Sequence, residues 1–407
     1  MRFLRFLGEN ARWLAAGYLL FFFSAFGQTY FISLSAGDIR REYALSHGGF
    51  GALYMGATLA SALTLTRFGQ IVDRWSPRRV AVLIVPMLAL ATAAMALSRH
   101  VALLFATIYV LRLFGQGMMS HTAFTLMGRW FSAQRGRAVT LATLGLNTGE
   151  ALFPLVFVAL AGAVGWRDTW LLGAAVLILA ALPAIAALTA VERTPRASDP
   201  SAPAATARDW TRAEVLRDPL FYPVLLAMMP PAFIGTAIFF HQVHLVELRG
   251  WSIGIFASSF SLYAAMTVAC ALLAGQLVDR FSAVALLPLY LLPMGLACLV
   301  IGTMPEQWAV FAFMALYGVS NGFSLALFGS LWPEIYGVRH LGAIRALVTA
   351  LLVFASAVGP GLTGTLIDAG IAYPAQVAAM GLYCIVISLA MLPVRRRLKA
   401  RAGALPS

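Results

Sequence analysis

The sequence predicts an all-α integral membrane protein in which twelve transmembrane helices form two pseudo-symmetric six-helix halves. Three observations carry this. The 407 residues are 61% hydrophobic and only 11% charged, whereas a soluble surface needs roughly a quarter charged residues. The apolar residues gather into about twelve runs, each close to the roughly 20 residues that cross the hydrocarbon core. Finally, the octapeptide Gly69-Gln-Ile-Val-Asp-Arg-Trp-Ser76 returns 206 residues later as Gly275-Gln-Leu-Val-Asp-Arg-Phe-Ser282. Gly136 with Gly342, and Pro154 with Pro360, repeat that spacing, so one half is a copy of the other.

In chain order the runs lie near 13–36, 47–68, 80–98, 101–127, 138–163 and 169–191, then 219–246, 254–277, 283–303, 307–331, 341–367 and 371–394. Lipid offers no partner for backbone polar groups, so each run must bond within itself as a helix. Residues 1–191 make the first half and 219–407 the second, which ends in the basic tail Arg395, Arg396, Arg397, Lys399 and Arg401. Between them, 192–218 changes composition abruptly. The stretch Glu192 to Asp209 contains Pro195, Pro200 and Pro203 and has no apolar period, so it is expected to be a mobile cytoplasmic linker.

The net charge of +13 sits at helix ends and not on a basic face, which argues for membrane topology and against nucleic acid. Arg40, Arg41, Arg99, Arg167 and Arg249 fall on one side; apart from Arg112 in midspan, every other basic residue falls on the opposite one. This asymmetry predicts a multi-pass protein of the inner (cytoplasmic) membrane with both termini in the cytoplasm. No cleavable signal peptide is expected, because the first run is too long for one. Cys270, Cys298 and Cys384 lie inside spans, and no disulfide framework is expected. With no soluble domain, nucleotide loop, metal cluster or nucleophile–base motif, the chain is not expected to be an enzyme or to carry a cofactor or metal. Its energy would come from an ion or substrate gradient. Two homologous helical halves with a charged loop in the same place are the pattern of a secondary transporter.

The loop after the second span reads Gly69-x-x-x-Asp73-Arg74-x-Ser76-x-Arg78-Arg79. Glycine permits close backbone approach, and a carboxylate at a membrane surface can cap a neighbouring helix N-terminus. The motif resembles the signature loop of the major facilitator superfamily, with Ser76 where a second Gly is usual; its second copy keeps Gly275, Asp279 and Arg280. A cytoplasmic gate is expected in which Asp73 faces the start of span eleven and Arg345, while Asp279 faces the start of span five and Arg137. Arg129-Trp-Phe-Ser-Ala-Gln-Arg-Gly-Arg-Ala138, with Gly165-Trp-Arg167, is similar to bacterial members near the monocarboxylate and oxalate/formate-exchanger branches. The acidic, Gly-rich start of the animal monocarboxylate carriers is replaced here by Phe21-Phe-Phe-Ser-Ala-Phe-Gly-Gln-Thr-Tyr30.

An ionisable side chain at the bilayer centre costs about 2.5–3.5 kcal/mol, so each one invites a functional hypothesis. Arg112 in span four and Glu150 in span five fall near mid-depth, either as an ion pair or as two opposite charges facing one cavity. Arg112 would attract an anionic substrate and Glu150 would take a proton. The position equivalent to Glu150 in the second half is Ser356, so the acid belongs to the first half alone. In span seven, His241 and His244 share a helical face and titrate near physiological pH, which suits a gate or proton relay. The resemblance implies that spans one, four, seven and ten line the cavity. That adds Gln28, Tyr30, Gln116, Gln242 and Asn321 to the substrate candidates.

The expected function is proton-coupled symport of a small, carboxylate-like organic anion by rocker-switch alternating access. The expected partners are the substrate, protons and lipid, with the protein acting as a monomer. The alternatives are a proton-driven exporter of apolar or cationic compounds and, less favoured, a non-transporting receptor on the same fold.

Overall fold

A computed structural model of the protein describes residues 2–131, 135–193 and 209–403. Most of the predicted linker, 194–208, lies outside the described residues. Every regular element among them is helical, and the chain divides into two compact units, Met1–Ser201 and Ala202–Ser407. Among the described residues, ten helices are long and apolar enough to cross a membrane, and an eleventh crossing is a bent pair. Leu292–Thr303, preceded by the one-turn helix Ala283–Leu286, supplies the twelfth apolar segment.

The first, seventh and ninth spans are not the continuous helices expected from their hydropathy. The first begins at Arg2, breaks over Ser24–Gly27 and continues with a 43° bend to Glu42. The break has a steric cause. A Cβ on Gly27 would fall on the Leu111 carbonyl oxygen and 2.6 Å from Gly115 Cα, so spans one and four cross with their backbones almost touching. Span seven is Phe221–Phe240, interrupted at His241 before Gln242–Arg249. Span nine is interrupted between Leu286 and Leu292. Span four, Val101–Trp130, is π-helical over Arg112–Met119. Such bulges are rare and concentrate at functional sites.

Glycines also set the contact between span five, Arg135–Val164, and span one. A Cβ on Gly145 would meet the Tyr18 carbonyl, and one on Gly149 would lie 3.1 Å from Phe22 O. Phe153, one turn beyond Glu150, then packs its ring against Phe22, Phe26 and Phe31 with centroids 4.7, 5.3 and 5.9 Å away. This aromatic wall forms the dry core between spans one and five.

Each unit is tied at its linker end by an arginine lying over aromatic rings. In the first unit, the Arg193 guanidinium lies 4.3 Å from the Phe131 centroid, donates to Asn10 Oδ1 at 3.1 Å, and donates to the Trp130 carbonyl. In the second unit, Arg401 lies 4.9 Å from the Trp210 centroid and 5.7 Å from that of Tyr336, and pairs with Asp218 at 2.7 Å. Trp130 and Tyr336 are themselves 206 residues apart, so the two ties occupy corresponding corners of the repeat.

At the other end of the first unit, Glu42 accepts from Arg167 (3.1 and 2.6 Å) and from Arg99 (2.5 Å). Arg167 also donates to the Ala96 and Ser98 carbonyls, which close the third span, Pro77–Leu97. The second unit caps the corresponding carbonyl differently: Arg249 donates to Gly302 O at 2.7 Å.

Candidate functional site

Arg112 opens the π-helical stretch of span four and is 4% exposed. Its Nη1 donates to the Gly27 carbonyl (3.1 Å) and to Thr29 Oγ1 (3.3 Å), groups that the break in span one turns toward it. The guanidinium carbon lies 5.3 Å from the centroid of the Tyr54 ring. The Thr29 and Tyr54 hydroxyls share a 2.7 Å hydrogen bond. Nε of Arg112 is buried without a hydrogen-bond partner, and among the described residues no carboxylate pairs with the guanidinium.

Glu150 sits near the middle of span five and makes neither a hydrogen bond nor an ion pair among the described residues. The salt bridge to Arg112 that the sequence left open is therefore not formed. Tyr30, which is 4% exposed, lies close enough to Glu150 for an electrostatic interaction. The 206-residue offset maps Tyr30 and Glu150 onto Thr236 and Ser356, whose hydroxyls share a 2.7 Å hydrogen bond. The second unit thus holds a neutral hydroxyl pair where the first holds a phenol and a carboxyl group.

The other sequence candidates separate. Gln28 Nε2 donates weakly to Ser24 Oγ at 3.4 Å, and Gln116 is half-buried in the π stretch. In the second unit Asn321 donates to the Tyr263 hydroxyl at 2.8 Å, and the Tyr263 ring stacks on Tyr317 at 5.2 Å. His241 is 3% exposed at the break in span seven, where its Nε2 lies 3.3 Å from Pro360 O and its ring 5.2 Å from that of Tyr373. Gln242 is fully buried beside it. His244 is half-buried, with its ring 6.0 Å from Tyr373. No three His, Cys, Asp or Glu among the described residues gather as metal ligands.

The gate candidates lie at loop and helix ends. Asp73, Arg74, Arg78, Arg79, Arg137, Asp279 and Arg280 are exposed, whereas Gly69 is buried and Gly275 half-buried. Asp73 and Asp279 form no hydrogen bond or ion pair among the described residues. Arg345 donates to the Gly329 carbonyl in its own unit. At the start of span nine, Glu334 accepts from Ala283 N at 2.7 Å and Val284 N at 3.4 Å. A Cβ on Gly69 would lie 3.2 Å from His121 Nε2, which gives that glycine a packing role.

Sequence reasoning missed Thr29 and Tyr54. A Thr and a Tyr in apolar runs are ordinary packing residues, and only the crossing at Gly27 and Gly115 brings them to Arg112.

Two duplicated helical units, with charged loops at the helix ends and Arg112 buried at mid-helix in the first, define a secondary membrane transporter. The sequence matches the Major Facilitator Superfamily over residues 17–289, and the chain belongs to that family. Comparison with curated protein sequences gives no match. Among solved structures, the chain is similar to a bacterial homologue of the human lysosomal transporter Spinster in an unoccupied state. That match has 18% identity and TM-score 0.68 and covers 97% of this chain and 95% of that one. It is also similar to a peptide transporter POT in complex with alafosfalin, with 15% identity, TM-score 0.70, and 96% and 95% coverage. A POT family transporter in complex with 5-aminolevulinic acid gives 14% identity, TM-score 0.69, and 95% and 96% coverage. At these identities the likeness concerns the fold.

Proposed function

We propose that the chain is a symporter that moves a small carboxylate-like anion together with protons by rocker-switch alternating access. The observation that carries this is Arg112, a buried guanidinium with no carboxylate partner among the described residues and one donor unused. A lone buried charge is costly unless something neutralises it. An anionic substrate does so only while bound, which couples occupancy to the energetics of the site.

Glu150 supplies the second half of the proposal. Glu150 is half-buried within span five and has no cationic partner among the described residues, so a proton is the ion that would neutralise it in transit and Glu150 is the proton carrier. Tyr30, Gln28 and Gln116 would join Arg112 at the site, and His241, Gln242 and Asn321 are the second unit's candidates. Residues 1–191 and 219–407 would move as the two bodies, joined by the cytoplasmic linker 192–218. Gates built from Gly69, Asp73, Arg74, Arg78, Arg79 and Arg345, and from Gly275, Asp279, Arg280 and Arg137, would close the cytoplasmic side. Such contacts form in one state and break in the other, the differential interaction a switch requires. The charge asymmetry supports cytoplasmic termini in the inner membrane, and a monomer suffices for the cycle.

One observation favours export of apolar or cationic compounds: the Phe22, Phe26, Phe31 and Phe153 cluster lies within a turn of Glu150. Glu150→Gln separates the two. In proteoliposomes loaded with formate, oxalate, lactate, pyruvate or benzoate, a symporter with this substitution keeps carboxylate counterflow and loses its response to an imposed proton gradient. An exporter shows no carboxylate counterflow at all and loses cation extrusion.

A further inference from the structure

Resting on the anion-transport proposal, we infer that Thr29 and Tyr54 are positioning residues: they lock Arg112 so that its Nε–Nη2 edge takes a planar carboxylate side-on. A guanidinium offers two donor edges to a two-oxygen acceptor, and the edge that remains available decides which acceptor geometry fits. Here the Nη1 end is committed. It donates to Gly27 O at 3.1 Å and to Thr29 Oγ1 at 3.3 Å. Its position is held from two sides, by the Tyr54 ring beneath the guanidinium at 5.3 Å and by the 2.7 Å bond between the Thr29 and Tyr54 hydroxyls. Nε is buried without a hydrogen-bond partner, and Tyr54 adds a side-chain hydrogen bond to the guanidinium. The Nε and Nη2 N–H groups are parallel and spaced like the oxygens of a carboxylate, the side-on half of arginine recognition.

The arrangement explains why span one is broken where it is. A continuous helix would spend the Gly27 carbonyl on its own ladder; the break over Ser24–Gly27 turns it to Arg112. It also ties recognition to backbone shape, because any shift of the Gly27–Gly115 crossing moves the fork.

The test measures uptake of labelled benzoate into proteoliposomes, with benzenesulfonate as competitor. Benzenesulfonate keeps the ring and the charge but presents three oxygens in a pyramid. In wild type, benzoate should bind better than benzenesulfonate. Arg112→Lys replaces the fork by a point charge; it should raise the benzoate KM about tenfold and erase the preference. Tyr54→Phe keeps the ring and Thr29→Val keeps the shape. Each should raise KM about two- to tenfold, the worth of one hydrogen bond, with the maximal rate unchanged. Because both break the Thr29–Tyr54 bond, the effect of the double variant should fall short of the sum of the two single effects.

Additive KM effects, or an unchanged KM in both single variants, would overturn the positioning role. A carboxylate preference that survives in Arg112→Lys would overturn the side-on fork. Failure of the underlying proposal looks different: Arg112→Gln would then leave benzoate uptake intact, or wild type would carry none. Monodispersity of each purified variant shows that it has folded, and Thr29→Val stands in where Tyr54→Phe does not.

Discussion

Asp218 is a buried carboxylate at the linker end of the second unit, and its removal should be among the most damaging changes outside the transport site. Its side chain is 4% exposed. Oδ2 accepts from Arg401 at 2.7 Å and from the Tyr336 hydroxyl at 2.9 Å, while Oδ1 accepts from Leu220 N at 3.1 Å. Bonds to a charged group contribute about 1.5–3 kcal/mol each, and a partly buried guanidinium stripped of its partner adds a penalty of its own. Arg401 is 27% exposed and still rests on Trp210, so water and the ring recover part of the loss. The net expectation for Asp218→Ala is about 2–4 kcal/mol. Asp218→Asn, which can keep two of the bonds, should cost about half as much. Thermal unfolding of the detergent-purified protein measures this as a fall of several degrees in apparent melting temperature. A cycle with Arg401→Gln should show strong coupling. Loss of less than about 0.5 kcal/mol, the range of an ordinary surface change, would refute the buried-tie account.

Three further outcomes follow from contacts elsewhere. Gly115→Ala would place a Cβ 2.6 Å from Gly27 N, and the backbones cannot part without moving Arg112; expression and melting temperature should fall, by about 1–3 kcal/mol of overpacking. Glu42→Gln should lose about 1–2 kcal/mol through its paired contacts with Arg167, and the deficit should shrink at high salt because Arg99 is 67% exposed. The Arg339 and Val338 backbone N–H groups hold the Asp209 carboxyl below its usual range. Its folded value lies below the unfolded one, so its contribution is present above the unfolded carboxylate range and lost as pH falls through the folded value. The stability gap between wild type and Asp209→Asn should therefore be full at neutral pH and vanish in strong acid.

Periodicity and duplication were legible because lipid imposes them on every span: hydropathy located the segments, and the repeated loop exposed the two units. Arg112 and Glu150 stood out for the same reason, since charge in an apolar run is expensive. The breaks were not legible. Ser24–Gly27 contains no proline and reads as apolar helix; it breaks because Gly27 meets Gly115, a contact between spans 88 residues apart. The π stretch at Arg112–Met119 leaves no compositional mark either. The ties at Arg193 and Arg401 each join three distant segments, and in sequence both arginines read only as positive-inside charge. The cap that Glu334 of span ten supplies to the start of span nine was not legible either, because the two segments lie some fifty residues apart in sequence.

The central claim is that Arg112 binds a carboxylate that crosses the membrane. Its most direct test is uptake of labelled small carboxylates into proteoliposomes under an inward proton gradient, comparing wild type with Arg112→Gln. Gradient-driven uptake in wild type that disappears in Arg112→Gln is the predicted result. Wild type that carries no carboxylate and instead moves lipophilic cations against the proton gradient would contradict it.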